Sequence, residues 1–361
     1  MLIPEAGESE ARALAERIVR SIAQLPFRFE GQNLRLTASV GIALHPVHGR
    51  DAEELVSHAD AAMYQAKEAG KNTWRVYRPD LDASRAHLTR MSWRERIAHA
   101  LTTNQLQLHF QGVYASAEHT LSDVEALVHM VDDDDPERLI MLGHFIGPAE
   151  RFGQIVNIDR WVVERSIEIL AVSPTMPAIA VNISARSFDV PGLPDEFSKF
   201  LLKNCVDQTR LIVELTETAA VADLHDAQRF IEALHRLGCQ VYLDDFGTGF
   251  SSFAYLRHLQ VDALKIDGMF IQNFPNDRHN QVLVRAITDV AHGLNKTVVA
   301  EYVEDEETAK MLQQFGVDML QGSHLGIPTN DYLAFCVQMS REDADTSSSP
   351  RIAQDRPRLN I

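Results

Sequence analysis

Residues 178–182 read AIAVN, a short run of apolar, β-prone residues that ends in a side chain able to bind a metal ion. The same design recurs five more times toward the C-terminus, in RLIVE (210–214), VYLDD (241–245), DALK (262–265), TVVAE (297–301) and VDMLQ (317–321). Segments long enough for a helix and a turn separate successive runs, which is the spacing of a βα repeat. The sequence therefore predicts an α/β fold of the (β/α)8 TIM-like barrel type.

The chain has 361 residues, which is enough for one barrel of about 250 residues and a smaller additional unit. Residues 104–114 and 121–130 have the composition of strands that would begin the barrel, and 143–153 and 157–170 have the apolar spacing of helices. The predicted organisation is an N-terminal segment at 1–79, a charged helical connector at 80–95, the barrel at 96–340 and a disordered, Pro- and Ser-rich tail at 341–361.

Polar side chains end the predicted strands, and in a barrel the C-terminal strand ends carry the reactive groups. The oxygen-bearing set comprises Glu125, Asn182, Glu214, Asp244, Asp245 and Glu301. Such hard ligands select Mg²⁺ or Mn²⁺ over zinc or copper. Five carboxylates carry enough charge for two dications, and a two-metal site can drive an in-line phosphoester displacement by water. A single acid at a strand end is usually a helix N-cap, but the whole set predicts a catalytic site.

Two further features complete this predicted site. Lys265 is the only cation of the set and could offset the charge that develops on a phosphorane, whereas the neutral amide of Gln321 is suited to orienting water or a ligand. Asp244 and Asp245 are adjacent, so in a regular strand they point to opposite faces. Both can face one site only where the strand ends and the chain turns, and Phe246-Gly247-Thr248-Gly249 is expected to supply that turn.

Charge and composition exclude several classes of partner. The formal net charge is −17, which argues against a nucleic acid polymer or an anionic membrane as a general partner. No apolar run approaches the ~20 residues that cross a bilayer, and the N-terminus lacks the features of a secretion signal. Three cysteines without a CxxC pattern predict reduced, buried thiols and a cytoplasmic location.

Seven short motifs occur in an order that matches a known family. They are Glu125-Ala126-Leu127, Val181-Asn182-Ile183-Ser184, Glu214-Leu215-Thr216-Glu217, Asp244-Asp245-Phe246-Gly247-Thr248-Gly249-Phe250-Ser251-Ser252, Leu264-Lys265-Ile266-Asp267, Ala300-Glu301 and Gln321-Gly322. With these motifs, the stretch from about 92 to 340 resembles the EAL domain, the bacterial phosphodiesterase that opens cyclic di-GMP to the linear dinucleotide pGpG. One such motif would be weak support, but seven at barrel spacing are strong.

The resemblance implies a role for each matching residue. It implies two Mg²⁺ or Mn²⁺ ions per site, with Glu125, Asp245 and Lys265 in catalysis and Lys265 holding or deprotonating the attacking water. The substrate-binding positions that it implies are Gln111, His129, Asp267, Gln321 and Ser323. In the family, the loop that contains Gly247 and Gly249 shapes the dimer contact and couples it to metal binding. Glu217 resembles the glutamate that braces this loop, and a homodimer through the barrel is expected.

Residues 1–79 resemble the C-terminal half of a GGDEF domain, the diguanylate cyclase fold. The matching pieces are LTASVGIA (36–43) and ADAAMYQAKEAGKN (59–72), whereas the GGDEF signature itself does not occur in the sequence. The expectation is therefore a chain that starts inside a domain. Cyclase activity is the least supported function, because the loop that would hold GTP and metal is missing.

The sequence departs from the family where the substrate would bind. The family's EAL-x-Arg reads Glu125-Ala126-Leu127-Val128-His129 here, so histidine replaces an arginine that contacts a ligand phosphate. Loss of that charge-assisted bond would cost about 1.5–3 kcal/mol of binding free energy, which weakens the affinity for the ligand roughly 10- to 100-fold. Protonation of His129 at low pH could partly restore this affinity. In addition, Tyr302 stands where many members have glycine, and Ser323 where an aromatic often stacks on guanine.

Two functions remain open at this stage. The complete set of acids, amide and lysine favours a cyclic di-GMP-specific phosphodiesterase, of reduced activity because of His129. The substitutions at His129 and Ser323 favour instead a degenerate EAL receptor, which binds cyclic di-GMP or a partner protein without efficient turnover.

Overall fold

The computed structural model describes residues 3, 7–24, 27–29, 32–34, 37–50, 52–68, 72–78, 93–132, 139–190, 192–248 and 255–348. The chain divides into two compact units. The first contains residues 1–102 together with 131–139, and the second contains residues 103–130 together with 140–361.

Thirteen strands and eleven helices are defined within the described residues. The strands are β1 (Phe27–Phe29), β2 (Gln32–Leu34), β3 (Val40–Ile42), β4 (Trp74–Val76), β5 (Leu106–Ala115), β6 (Leu121–Val131), β7 (Leu139–Ile140), β8 (Ala178–Asn182), β9 (Leu211–Thr216), β10 (Gln240–Phe246), β11 (Ala263–Ile266), β12 (Thr297–Ala300) and β13 (Met319–Leu320). The helices are α1 (Glu8–Gln24), α2 (Ala52–Glu68), α3 (Trp93–Thr103), α4 (Leu142–Arg151), α5 (Ile155–Val172), α6 (Leu193–Lys203), α7 (Glu217–Ala222), α8 (Leu224–Leu237), α9 (Arg278–Gly293), α10 (Glu306–Gln314) and α11 (Leu333–Ser348).

The first unit contains a small helix-and-strand core. β3 and β4 pair in parallel, and Ala11 and Ala15 of α1 pack against Ile42 and Val76. Strands β1 and β2 pair antiparallel, with Phe27 opposite Leu34 and Phe29 opposite Gln32.

The second unit is a closed barrel of eight strands, in the order β5, β13, β12, β11, β10, β9, β8, β6 and back to β5. Each of the six apolar runs identified in the sequence forms one of these strands, so the barrel prediction is confirmed. Seven strands run parallel from β6 through β8 to β13, whereas β5 is antiparallel to both of its neighbours, β6 and β13. The short connection from β5 to β6 causes this reversal, because it is a turn rather than a helix crossover.

The strands have apolar residues on both faces because helices cover the outside of the barrel. Inside, Ala180, Ile212, Tyr242 and Ala263 form one packed layer. Outside, α8 buries Ala227, Phe230, Ile231 and Leu234, which follow helical spacing. Its ends are defined by Asp223, which caps the N-terminus, and by Gly238, which has a φ of 96°.

Three sequence expectations meet different outcomes outside the barrel strands. Helix α11 continues to Ser348, so residues 341–348 are helical although the sequence placed them in a disordered tail. Of the predicted connector, residues 80–92 lie outside the described residues, and α3 begins at Trp93. Cys239 and Cys336 are buried free thiols as expected, but Cys205 is exposed, because it lies in the turn after α6 with a φ of 54°.

No helix within the described ranges is long and apolar enough to cross a membrane.

Arg210 connects α5 to the barrel and generates a stability prediction. Its guanidinium donates to the carbonyl oxygens of Leu170, Ser173 and Met176 at 3.2, 3.0 and 2.9 Å. These bonds satisfy a carbonyl of the last turn of α5 and two of the turn that follows. Arg210→Ala is expected to lower the free energy of unfolding by about 2–4 kcal/mol in urea titrations, because buried carbonyl groups lose charged donors.

The matched control is Arg165→Ala. Arg165 lies on α5, the helix that Arg210 contacts, but its pair with Glu168 is about half exposed, so the expected loss is below about 0.5 kcal/mol. Equal losses for both variants would show that Arg210 has no special role in joining these elements.

Candidate active site

A buried lysine lies at the centre of the barrel's acidic site. Lys265 on β11 is inaccessible to solvent, and its Nζ is 3.0 Å from Glu125 Oε2, 2.9 Å from Glu214 Oε2, 3.5 Å from Asp244 Oδ1 and 2.9 Å from Glu301 Oε1. These carboxylates come from four different strands or strand ends. The sequence prediction that distant acids gather at one end of the barrel therefore matches their placement.

Glu125 is held by two amides as well as by the lysine. Asn182 Nδ2 donates to Glu125 Oε1 at 2.7 Å, and Gln321 Nε2 donates to Glu125 Oε2 at 2.7 Å. The same Gln321 nitrogen is 3.3 Å from Gln111 Oε1, and Gln111 in turn donates to the carbonyl of Gly326 at 2.9 Å. This chain of hydrogen bonds fixes the position of Glu125 across the seam between β5, β6 and β13.

Asp244 and Asp245 reach the same site through a β-bulge rather than through the end of the strand. Strand β10 continues to Phe246, and its pairing with β11 passes from Leu243 opposite Leu264 to Phe246 opposite Ile266. One extra residue is thus inserted in β10, and Asp245 takes a φ of 54°. The predicted turn at Phe246-Gly247-Thr248-Gly249 is therefore not what aims the two acids, because the change of direction occurs at Asp245 itself.

Three of the acids lie close enough together for one divalent ion to contact all of them. One carboxylate oxygen from each of Asp244, Asp245 and Glu301 lies within 4.8 Å of the other two. Asp244 Oδ1 is buried and has no hydrogen-bond partner among the described residues, although Lys265 Nζ is 3.5 Å away. A buried carboxylate oxygen without a donor is costly unless a cation binds it. The donor set is all oxygen, which suits Mg²⁺ or Mn²⁺.

The protein distributes protons unevenly among these acids. Burial alone would raise the pKa of Glu125, but Lys265, Gln321 and Asn182 outweigh it and hold that pKa below its usual range. Glu214 has only the lysine as a compensating partner, so burial and the neighbouring Glu125 raise its pKa well above the usual range. Burial likewise raises the pKa of Glu301 to about 8. Burial lowers the pKa of Lys265, but the surrounding carboxylates raise it well above its usual range, so the amine is an ammonium ion.

The loop after β10 is tied to α7. Gly247 N donates to Glu217 Oε2 at 2.8 Å, and Tyr255 donates its hydroxyl to Glu217 Oε1. Gly247 has a φ of 104°, and a Cβ there would lie 2.6 Å from the ring of Phe270. Glu217 thus makes the contact that a loop brace would make. Gly249, which the sequence assigned to the same loop, lies outside the described residues.

The acids open into a cavity of about 440 Å³, a volume typical of small-ligand sites. Most of its lining residues carry a polar or charged group, and the lining consists of Gln111, Glu125, Leu127, Asp245, Asp267, Glu301, Tyr302, Glu304, Gln321, Gly322, Ser323 and Pro328. Four of the five predicted substrate-binding residues, Gln111, Asp267, Gln321 and Ser323, are in this lining. Burial, Asp244 and Asp267 raise the pKa of Asp245 to about 6, so the cavity favours a cation beside that carboxylate.

The fifth predicted substrate contact, His129, is not among the lining residues. Its side chain is 6% exposed, its Nδ1 is 3.1 Å from the carbonyl oxygen of Leu127, and its ring centroid is 4.4 Å from that of His109. The shared alternation of β5 and β6 places both histidines on the face that carries Gln111, Glu125 and Leu127. Burial lowers the pKa of His129, so it is neutral near pH 7.

Two further residues near the site have no role assigned from the sequence, for different reasons. Tyr302 was noted as a departure from the family, but only the structure shows that its ring lines the cavity. Asp123 is 2% exposed, and burial raises its pKa to about 7. The alternation of β6 could have indicated its position, because Asp123 shares a face with Glu125.

Sequence comparison places this arrangement in a family. Residues 94–328 match the EAL domain, and residues 1–73 match the family described as diguanylate cyclase, GGDEF domain. The chain belongs to the EAL-domain family. The EAL match includes every acid around Lys265, and the GGDEF match falls within the first compact unit.

Named relatives of this EAL protein extend well beyond it. The bifunctional diguanylate cyclase/cyclic di-GMP phosphodiesterase MucR of Pseudomonas aeruginosa is 35% identical over 334 residues, which cover 91% of this chain and 48% of MucR. The cyclic di-GMP phosphodiesterase PdeR of Escherichia coli is 34% identical over 327 residues, which cover 89% of this chain and 48% of PdeR. The chain thus spans less than half the length of these relatives.

Solved EAL domains share the barrel. The PaMucR phosphodiesterase in complex with c-di-GMP aligns with a TM-score of 0.63 at 33% identity, over 67% of this chain and 99% of that one. The FimX EAL domain from Pseudomonas aeruginosa bound to c-di-GMP aligns with a TM-score of 0.62 at 27% identity, over 66% and 96% respectively. The alignment covers nearly all of each solved domain.

The buried charges predict an unusual pH dependence for Lys265→Met. Without the ammonium ion, the pKa values of Glu214 and Glu301 should rise further above their unfolded values. A carboxyl whose pKa is raised by folding retains protons that the unfolded chain releases, so stability falls as pH rises through the window from about 4.5 to about 8. We expect a loss of about 3–5 kcal/mol at pH 8, a much smaller loss at pH 5, and partial recovery with Mg²⁺.

Lys296→Met is the matched control. Lys296 is also buried, but it donates to the carbonyl oxygens of Leu259 and Val261 at 3.1 and 2.8 Å rather than to carboxylates. Its loss should cost a similar amount at pH 5 and pH 8. Urea unfolding at both pH values measures the difference, and a pH-independent loss for Lys265→Met would contradict the charge assignment.

Proposed function

We propose that this EAL domain is a metal-dependent phosphodiesterase that hydrolyses cyclic di-GMP to linear pGpG. The observation that supports this most strongly is the convergence of four carboxylates within 3.5 Å of one buried ammonium group, beside a cavity of small-ligand size. The named relatives MucR and PdeR, whose names specify cyclic di-GMP phosphodiesterases, support the choice of substrate. The metal ions and the product remain part of the proposal.

The metal-binding residues in this proposal are Glu125, Asn182, Glu214, Asp244, Asp245 and Glu301. Their oxygen donors fit two Mg²⁺ or Mn²⁺ ions, and Asp244 Oδ1 lacks the hydrogen bond that would otherwise satisfy it within the described residues. Bound divalent ions would lower the pKa of water and neutralise charge that develops on the phosphate. They would also reverse the sign of the potential in an acidic cavity, which a phosphodiester otherwise finds repulsive.

Lys265 contributes through its charge and its protons. Four carboxylates keep it an ammonium ion, and it could donate a hydrogen bond to an attacking water or to a phosphate oxygen once a metal ion draws one of those carboxylates away. Divalent ions bound to the same carboxylates would lower the pKa of Lys265, so the deprotonation of water that the family resemblance implies stays part of the proposal. Glu125 and Asp245 are the acids that we propose for catalysis beside it, and the network from Gln321 and Asn182 keeps Glu125 ionised.

Substrate recognition would involve the polar lining of the cavity. Gln111 and Gln321 supply amide groups, Asp267 supplies a carboxylate that can accept from a guanine N–H, and Ser323 supplies a hydroxyl. The homodimer expected from the family also remains a proposal. Part of the loop that would carry the dimer contact, 249–254, lies outside the described residues, and sedimentation equilibrium of the purified chain would show the assembly state.

The enzyme hypothesis predicts that the purified chain converts cyclic di-GMP to pGpG with Mg²⁺ or Mn²⁺ and not with excess chelator. Asp244→Asn should reduce kcat at least about 100-fold, because removal of one acid weakens the hold on the metal ions that activate water. Chromatographic separation of substrate and product measures this rate.

Asp289→Asn serves as the control, since Asp289 lies on α9 with its side chain 71% exposed. It should leave turnover unchanged. Tight binding of cyclic di-GMP without any pGpG would instead support the receptor hypothesis, and no binding at all would leave only a protein-interaction role.

His129→Arg tests the departure from the family pattern. A permanently charged arginine can contact a phosphate that neutral His129 does not attract, so the KM should fall about 10- to 100-fold at pH 7.5. Burial lowers the pKa of His129, so this histidine gains its positive charge only at a pH below the usual range for histidine. The difference in KM between the parent and the variant should therefore narrow only at such a low pH.

The control is His279→Arg, which adds the same charge at a side chain that is 91% exposed on α9. If both variants lower the KM equally, the effect is one of net charge. If His129→Arg leaves the KM unchanged, position 129 does not limit substrate binding in this chain.

A further inference from the structure

Tyr302 is an aromatic side chain held at the entrance to the acidic cavity. It follows Glu301 directly, it is 57% exposed, and it lines the cavity together with Asp267 and Ser323. Among the described lining residues it is the only aromatic one, and Leu127 and Pro328 are the only others with sizeable apolar side chains. A ligand that enters this cavity would therefore meet one flat apolar surface beside otherwise polar groups.

The backbone at this position is unfavourable for tyrosine. Tyr302 has a φ of 55°, in the left-handed region that glycine adopts without penalty and that a bulky side chain rarely occupies. Burial does not explain its presence, because more than half of the side chain is accessible. Residues in strained conformations tend to occur at binding and catalytic sites, where the position of the side chain matters more than local stability.

A neighbouring glycine makes room for the ring. A Cβ at Gly268 would lie 2.2 Å from Cδ2 and 2.4 Å from Cγ of Tyr302, so no larger residue fits there without moving the ring. The φ of Gly268 is not in the left-handed region, which means that close approach, rather than backbone conformation, requires glycine. The ring thus rests on the backbone that follows Asp267, and this contact limits its orientation.

We propose that Tyr302 stacks on a nucleobase of the substrate and is a specificity-determining residue of this site. The inference rests on the proposed cyclic dinucleotide function. The flat ring beside Asp267 would support one face of the base, while the carboxylate and the hydroxyl of Ser323 remain available to its polar edge. Ser323 itself cannot stack, so Tyr302 is the lining residue that can provide this surface.

The test compares Tyr302→Gly, Tyr302→Phe and the parent in steady-state hydrolysis of cyclic di-GMP. Tyr302→Gly removes the ring and relieves the backbone strain, so it should be at least as stable as the parent in thermal unfolding. Its KM should rise about 5- to 100-fold, with kcat within about twofold, because base stacking contributes to binding rather than to the chemical step. Tyr302→Phe should match the parent, because it retains the ring.

Two further variants separate stacking from general effects of strain. Asn295→Gly also replaces a residue of left-handed conformation, with a φ of 55°, but Asn295 is exposed and is not among the cavity residues; its KM should equal that of the parent. Gly268→Ala keeps Tyr302 but should displace its ring, and the KM should rise as it does for Tyr302→Gly.

The outcomes are distinguishable from those that test the enzyme itself. A parent protein that neither binds nor hydrolyses cyclic di-GMP would overturn the proposed function and, with it, this inference. An active parent with an unchanged KM in Tyr302→Gly would overturn the stacking role alone. An equal loss of activity in Tyr302→Gly and Tyr302→Phe would overturn it too, because it would implicate the hydroxyl rather than the ring.

Discussion

The ion pairs of one buried lysine with four carboxylates are the constraint on which the rest of the site depends. Burial of an ammonium group is costly unless hydrogen-bond acceptors or opposite charges compensate it, and Lys265 has acids from four parts of the barrel within 3.5 Å. The same acids need that cation, since burial and their mutual repulsion raise the pKa values of Glu214 and Glu301. The barrel brings these charges together, and divalent ions would add the positive charge that the cluster still lacks.

Hydrophobic pattern was sufficient to predict the barrel, because short apolar runs with polar ends, separated by helix-length segments, are typical of parallel strands that alternate with helices. All six runs from 178–182 onward are strands, and the acids at their ends meet. The direction of β5 was not foreseen, since the apolar pattern of a strand does not show that β5 and β6 are joined by a tight turn rather than by a helix. The bulge at Asp245 was also missed, because it depends on a register shift between β10 and β11 that one strand does not reveal.

The departures from the family show that the position of a residue in a motif does not by itself determine which groups its side chain contacts. His129 occupies the place of a phosphate-binding arginine, yet its ring packs against His109, and its side chain is not part of the cavity lining. Tyr302 occupies the place of a glycine, and the structure shows why that position matters: the backbone is left-handed there, and the ring lies over Gly268 at the cavity. Such a substitution is visible in the sequence, but its consequence depends on contacts between loops that are distant in the chain.

The most direct measurement of the proposed metal centre is anomalous diffraction from crystals of the chain grown with Mn²⁺. We expect two manganese peaks per chain among the carboxylates of Glu125, Glu214, Asp244, Asp245 and Glu301. Peaks only at exposed acids such as Asp189, Asp223 and Asp226, or no peak in the barrel at saturating Mn²⁺, would contradict the claim that the cluster around Lys265 is a metal centre.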